Sequence, residues 1–175
     1  MERIYYTVRY RLDNKDRYLI WFRTEEEDLD GVVVGKNGTI PIFINETDLM
    51  NYAESCGFMP VESSASVIHN LDAIAKWLNE KKRQRARRVD CEKFLNDWNL
   101  LGDVSSSIGG DFDPQKERTQ KIYEKLFWGN NLPSLTPPGK FYVPIWSGRE
   151  MQTLHEVFSQ GLLMFRSHTK LMTKL

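Results

Sequence analysis

RIYYTVRYRLDNKDRYLIWFR, residues 3–23, decides the fold. Ile4, Tyr6, Val8, Tyr10 and Leu12 alternate with Tyr5, Thr7, Arg9 and Arg11, the period-2 pattern of a half-buried strand. Asp13-Asn14-Lys15-Asp16 reads as a turn, because short Asx side chains bond the local backbone. Arg17–Arg23 follows as a second strand. Tyr18, Ile20 and Phe22 fall on one of its faces and Leu19 and Trp21 on the other, so it belongs inside a sheet rather than at its margin.

The pattern continues outward as sheet, then changes period. Gly31–Val34 and Thr39–Ile44 predict a second hairpin, with Asn37-Gly38 as a type I′ turn and Pro41 marking an edge strand. Thr47 is placed to cap a short helix that Gly57 ends, and 58–62 suggests a further strand. Asn70 precedes the helical stripe Leu71, Ile74, Trp77 and Leu78. Phe94, Leu95, Trp98 and Leu101 repeat the stripe up to Gly102, and Ser105–Gly110 reads as a linker. Asp113-Pro114 opens a helix that carries Ile122, Tyr123, Leu126 and Phe127 inward and stops at Gly129. A proline-rich loop with one short strand at Phe141–Val143 leads to Ser147-Gly148-Arg149-Glu150, a capping box stapled by Trp146 and Met151. Met151, Leu154, Phe158, Leu162 and Phe165 form the strongest stripe in the chain. Strands first and helices afterwards argue for an α+β fold, an N-terminal antiparallel sheet with mostly helical C-terminal two-thirds packed on it. The 175 residues fit one domain, 1–175.

Composition narrows the function classes. A hydrophobic fraction of 41% supplies a core, so wholesale disorder is excluded. Twenty-four basic and 24 acidic residues leave no basic excess, which removes the simplest argument for a nucleic-acid partner. The charged N-terminus lacks the apolar core of a secretory signal, and runs such as GLLMF are far too short to span a bilayer. A cytoplasmic protein without a membrane partner is expected, with Cys56 and Cys91 reduced.

No motif for metal, cofactor or nucleophile chemistry is present. His69, His155 and His168 stand apart from any H-E-x-x-H or C-x-x-C pattern. His155 flanks the apolar stripe of its helix, the place of a core-edge histidine. No catalytic, cofactor-binding or metal-binding residue is therefore assigned, and neither an enzyme nor a small-molecule substrate is expected. Two charge clusters remain. Lys81–Arg88 reads as a solvated helix end or as a phosphate-contacting patch near Trp77, with Tyr5, Arg9 and Arg11 as a stacking face on the sheet. Glu25, Glu26, Glu27, Asp28 and Asp30 read as a solvated loop or as a phosphate mimic for a basic nuclease cleft. Trp128, Phe141, Tyr142 and Trp146 border the proline-rich loop, as interface anchors or as pins that hold it to the body.

LNDWNLLGDVSSSI (95–108) and LFWGNNLPSLTPPGKFYVPIWSGREMQTLHEVFSQGLLMF (126–165) resemble stretches of enterobacterial immunity proteins of contact-dependent growth inhibition systems. The resemblance implies a cytoplasmic, non-catalytic bacterial protein that binds the C-terminal toxin domain of a cell-surface effector, often a nuclease, and occludes its active site. Glu25–Asp30 is the partner-binding segment that such a role would use against a basic cleft. A small nucleic-acid-binding module built on Lys81–Arg88 is the alternative, and an enzyme with residues dispersed through the chain is a third.

Overall fold

Alternating side chains send the first two strands into two separate cores. In a computed structural model, which describes residues 3–24, 30–60, 68–110 and 117–172, β1 (Arg3–Leu12) and β2 (Lys15–Thr24) form a hairpin with Tyr6 opposite Trp21 and Val8 opposite Leu19. Its two-residue turn places both Asp13 and Asn14 at φ 56°, the left-handed region that a type I′ turn requires and Asx residues tolerate. That tip is tied down from outside. Asp72 accepts from the Asp13 and Asn14 amides at 2.7 and 2.8 Å, and Arg166 donates to both Asp13 carboxylate oxygens at 2.7 and 2.8 Å.

The sheet order is β3-β2-β1-β5, with β3 (Asp30–Val32) antiparallel to β2 and β5 (Ile68–Asn70) parallel to β1. β2 is therefore interior, as its two apolar faces predict. The second hairpin does not form. β4 (Ile40–Ile42) pairs instead in parallel with β6 (Thr169–Leu171), and Asn37 lacks the positive φ of a type I′ turn. A local turn signal lost to long-range pairing, because β3 completes the main sheet and Phe43 bridges to Tyr18. Pro41 sits in this two-stranded pair, where its missing N–H breaks no interior ladder. No strand forms at 58–60, where Phe58 stacks on Tyr5; residues 61–62 lie outside the described ones.

Helices α1 (Glu46–Ser55), α2 (Leu71–Leu78), α3 (Lys82–Arg85), α4 (Cys91–Ile108), α5 (Glu117–Gly129) and α6 (Gly148–His168) follow. Asn45, not Thr47, caps α1 by accepting from the Asp48 amide at 2.8 Å. Helix α4 runs through Gly102 and the serines to a left-handed Gly109, so neither the expected stop nor the linker exists. Leu101, Val104 and Ser105 are all buried, and their burial outweighs the roughly 1 kcal/mol that an interior glycine costs. The Asp113-Pro114 start lies outside the described residues, but α5 ends at Gly129 as expected.

One face of the sheet, carrying Tyr10, Leu12 and Leu19, packs against α2, α4 and α6. Trp98 and Phe158 are wholly buried there, ring centroids 5.8 Å apart and perpendicular. A Cβ on Gly161 would lie 2.7 Å from Leu101, so glycine sets how closely α6 crosses α4. The other face carries Ile20, which packs with Phe43, Leu49 and Ala53 under α1. Where β3 would expose an outward N–H, Ser107 of α4 accepts it from Val32 at 2.8 Å. No helix among the described residues is long and apolar enough to cross a membrane.

Trp21 also donates to Asp103 on α4 at 2.8 Å. Burial pushes the Asp103 pKa from 3.8 up to about 6, although the indole N–H works the other way. The fold thus favours the protonated acid, and the stabilisation is complete below the unfolded pKa and lost as pH rises through about 6. Asp103→Asn keeps an oxygen for Trp21 and removes the titration. It should match wild type near pH 4 and exceed it by on the order of 2 kcal/mol at pH 8, read by urea unfolding across that range.

Candidate functional site

The proline-rich segment after α5 is an ordered strap rather than a loose loop, and local chemistry explains why. A Cβ on Gly129 would lie 2.5 Å from the Cys91 sulfur and 3.2 Å from Pro144, so glycine lets the strap close over the start of α4. Asn131 follows at φ 51°. Its side-chain amide bonds Tyr142 as a neighbouring strand would: the oxygen accepts from the Tyr142 amide at 2.7 Å, and the nitrogen donates to the Tyr142 carbonyl at 3.0 Å. The same nitrogen donates to the Gly129 carbonyl at 2.9 Å. Between these points Lys140 donates its amide to the Pro137 carbonyl at 3.0 Å, closing a turn with Gly139 at φ 77°. Pro138 and Gly139 occupy the central positions that a type II turn favours.

The far end is anchored by charge. Lys125 donates to the Ile145 carbonyl at 2.8 Å, pairs with Glu150 at 2.6 Å and lies 5.7 Å from the Trp146 ring centroid. Ser147 and Glu150 complete the expected capping box at 3.2 and 2.8 Å. Burial acts to raise the Glu150 pKa, but bonds from Lys125 and Ser147 outweigh it and hold the carboxyl below its ordinary value.

This scaffold leaves Phe141, Val143 and Ile145 78%, 78% and 86% exposed, while Pro144 and Trp146 turn inward. The short strand expected at 141–143 is absent as a ladder, because the neighbour of Tyr142 is a side chain rather than a backbone. The loop aromatics divide residue by residue. Trp146 pins the strap to the core, and Phe141 stands clear of it. A cavity of about 520 Å³ lies beside Trp146, between α3 and α6, with Lys82, Arg85, Met151 and His155 on its walls.

The charge clusters separate differently. Glu25, Glu26, Glu27 and Asp28 lie outside the described residues; Asp30 opens β3 opposite Arg23. Much of the basic run is engaged locally. Arg85 donates to the carbonyls of Leu78 and Glu80 at 2.8 and 2.9 Å, and Arg88 pairs with Glu80. Lys81, Lys82 and Arg87 remain exposed. Arg9 and Arg11 both pair with Asp16, and Tyr5 stacks on Phe58 with centroids 4.6 Å apart.

His155 occupies the core edge, 3.3 Å from the Leu78 carbonyl and 3.5 Å from the Ser159 hydroxyl. His69 lies 3.2 Å from Asp97, whose pKa burial raises while the histidine partly offsets it. Cys56 and Cys91 are both free thiols. Among the described residues no group of three or more His, Cys, Asp or Glu side chains is placed to hold a metal ion.

No family model matches the chain. A stretch of 88 residues is 28% identical to the 1,3-beta-glucan synthase component bgs1 of Schizosaccharomyces pombe, covering 46% of this chain but 5% of that protein. The fold is similar to the crystal structure of the SatS C-terminal domain in complex with bromine. The TM-score is 0.59 with 13% identity, over 96% of this chain and 94% of that one, which is a likeness of fold alone.

Asn131→Ala removes three hydrogen bonds that fix the strap at its centre. Because the site is solvent-exposed, global stability should fall by only about 1–2 kcal/mol. Hydrogen exchange at the Tyr142 amide should accelerate at least tenfold; unchanged exchange would show that Asn131 does not hold the strap.

Proposed function

We propose that the chain is an immunity protein that binds and neutralises the toxin domain of a contact-dependent growth inhibition effector, with the strap as its anchor. The observation that carries this reading is a pre-organised apolar ledge: Phe141, Val143 and Ile145 lie open to solvent on a segment held by Asn131 and Lys125. Exposing three large apolar side chains on a fixed backbone costs solubility, and a partner that covers them gains affinity without an ordering penalty. The strap also lies within the longer of the two stretches that resemble such immunity proteins.

The acidic segment Glu25–Asp30 supplies the second half of the reading. Its C-terminal flank on β3 adjoins Ser107 near one end of α4, whereas the strap closes over Cys91 at the other end. Sixteen residues of helix separate the two by roughly 24 Å. If the partner is a nuclease, its phosphate-attracting cleft faces the acidic segment and its apolar contact seats on the strap. The carboxylates then set the rate of capture and the strap sets the rate of release.

Growth rescue tests this. Cells expressing the toxin domain encoded directly upstream of this gene should survive when the chain is co-expressed; no rescue by wild type would reject the proposal. Replacing Phe141, Val143 and Ile145 by serine should leave the circular dichroism spectrum unchanged and weaken toxin binding at least 100-fold. Exchanging Glu25, Glu26, Glu27 and Asp28 for their amides should slow association at low salt and change dissociation little. Equal on-rates would remove the acidic segment from the interface.

A further inference from the structure

The strap's hydrogen-bond pattern specifies more than an apolar ledge. Both the N–H and the C=O of Tyr142 point toward Asn131, which fixes the local chain as extended. Within each trans peptide group the C=O and the N–H point in opposite directions. The Phe141 carbonyl and the Val143 N–H must therefore point away from Asn131. Among the described residues neither has a hydrogen-bond partner. Phe141, Val143 and Ile145 meanwhile project their side chains with the two-residue period of a strand. These are the features of a sheet edge with one neighbour already in place, the Asn131 side chain, and the opposite side open.

We propose that this outer edge accepts one additional strand, an extended segment of a protein partner with alternating apolar residues and carboxylates at both ends. The proposal rests on the strap being the partner-binding surface and adds how it binds and what it selects. Backbone bonds to Phe141 and Val143 supply register, and apolar contacts with Phe141, Val143 and Ile145 supply affinity. The Ile145 carbonyl already accepts from Lys125 at 2.8 Å, so the open edge is confined to Phe141–Val143.

Charge selects the occupant. From residue 126 to 149 the chain holds Lys140 and Arg149 and no Asp or Glu, while Lys125, beneath Ile145, is already paired with Glu150. A second copy pairing strap to strap would bring cations together, whereas a carboxylate-flanked segment would relieve them. A lipid surface is the weaker fit for a different reason. Immersing Phe141 and Val143 in hydrocarbon would bury a carbonyl and an N–H with nothing to bond.

The test uses the full chain labelled with nitrogen-15. The probe is an acetylated, amidated octapeptide of alternating valine and threonine with glutamate at each end. Saturable binding should shift the Val143 amide and slow its hydrogen exchange at least tenfold. N-methylating the peptide backbone where it faces the strap should weaken binding at least tenfold. In the protein, Val143→Pro removes the N–H and should abolish peptide binding, whereas Val143→Ala keeps it and should weaken binding only a few-fold. Equal binding of a lysine-flanked peptide, indifference to N-methylation or no saturable binding at all would each overturn the proposal. So would dimerisation through the strap, or co-sedimentation with phosphatidylglycerol vesicles that leaves the peptide unbound. Peptide binding without rescue from the upstream toxin would sink the immunity reading and leave the open edge standing. Rescue by a Val143→Pro variant that no longer binds peptide would leave the immunity reading standing and overturn the edge as the place where the toxin is captured.

Discussion

Burial of the Trp98 side of α4 is the constraint on which the other elements depend. Trp98 is wholly enclosed, edge-on to Phe158 of α6 and close to Tyr123 of α5, and Phe94 one turn earlier meets both Phe158 and Trp77 of α2. A single helix thereby fixes three others. At its C-terminal end Ser107 and Asp103 reach the sheet through Val32 and Trp21, so the same helix also positions β2 and β3. Large aromatic side chains suit this role because each buries about 150–250 Å² and prefers edge-to-face contact, which gives direction as well as affinity. The strap inherits its position from this frame, since Gly129 and Pro144 close on Cys91, the first residue of α4.

Much of this fold is legible in the sequence where side-chain period alone decides the outcome. The alternation in residues 3–23 gives the hairpin and its interior strand, and the stripe from Met151 to Phe165 gives α6 with its capping box. The reading fails where a local signal competes with distant partners. Asn37-Gly38 favours a hairpin, but β3 pairs with β2 and β6, at the far end of the chain, claims β4. Gly102 resembles a stop, yet the apolar stripe beyond it continues into the core through Val104. A three-residue strand such as Thr169–Leu171 carries too little periodicity to announce itself.

The site is legible in outline and not in detail. The cluster of prolines and aromatics marks the strap, and its sequence leaves open whether the rings serve the core or a partner. That division depends on Asn131, an ordinary loop residue in one dimension, whose amide stands in for a strand neighbour eleven residues away. Basic residues show the same limit. Arg9, Arg11, Arg85 and Arg88 look available as a list of charges, and each is engaged once carboxylates and carbonyls are placed around it. Charge that is visible in sequence is thus partly consumed in structure, whereas apolar surface on the strap is left over.

Recognition through the strap requires it to be rigid before any partner arrives, because a flexible segment would lose on binding what its apolar side chains gain. Backbone nitrogen-15 relaxation of residues 141–145 in the free protein measures this directly. Order parameters near 0.85, matching those of α4 and α6, are what the hydrogen bonds from Asn131 and Lys125 require. Values below about 0.6 would contradict the account, leaving a mobile loop whose exposed residues have no fixed geometry to recognise anything.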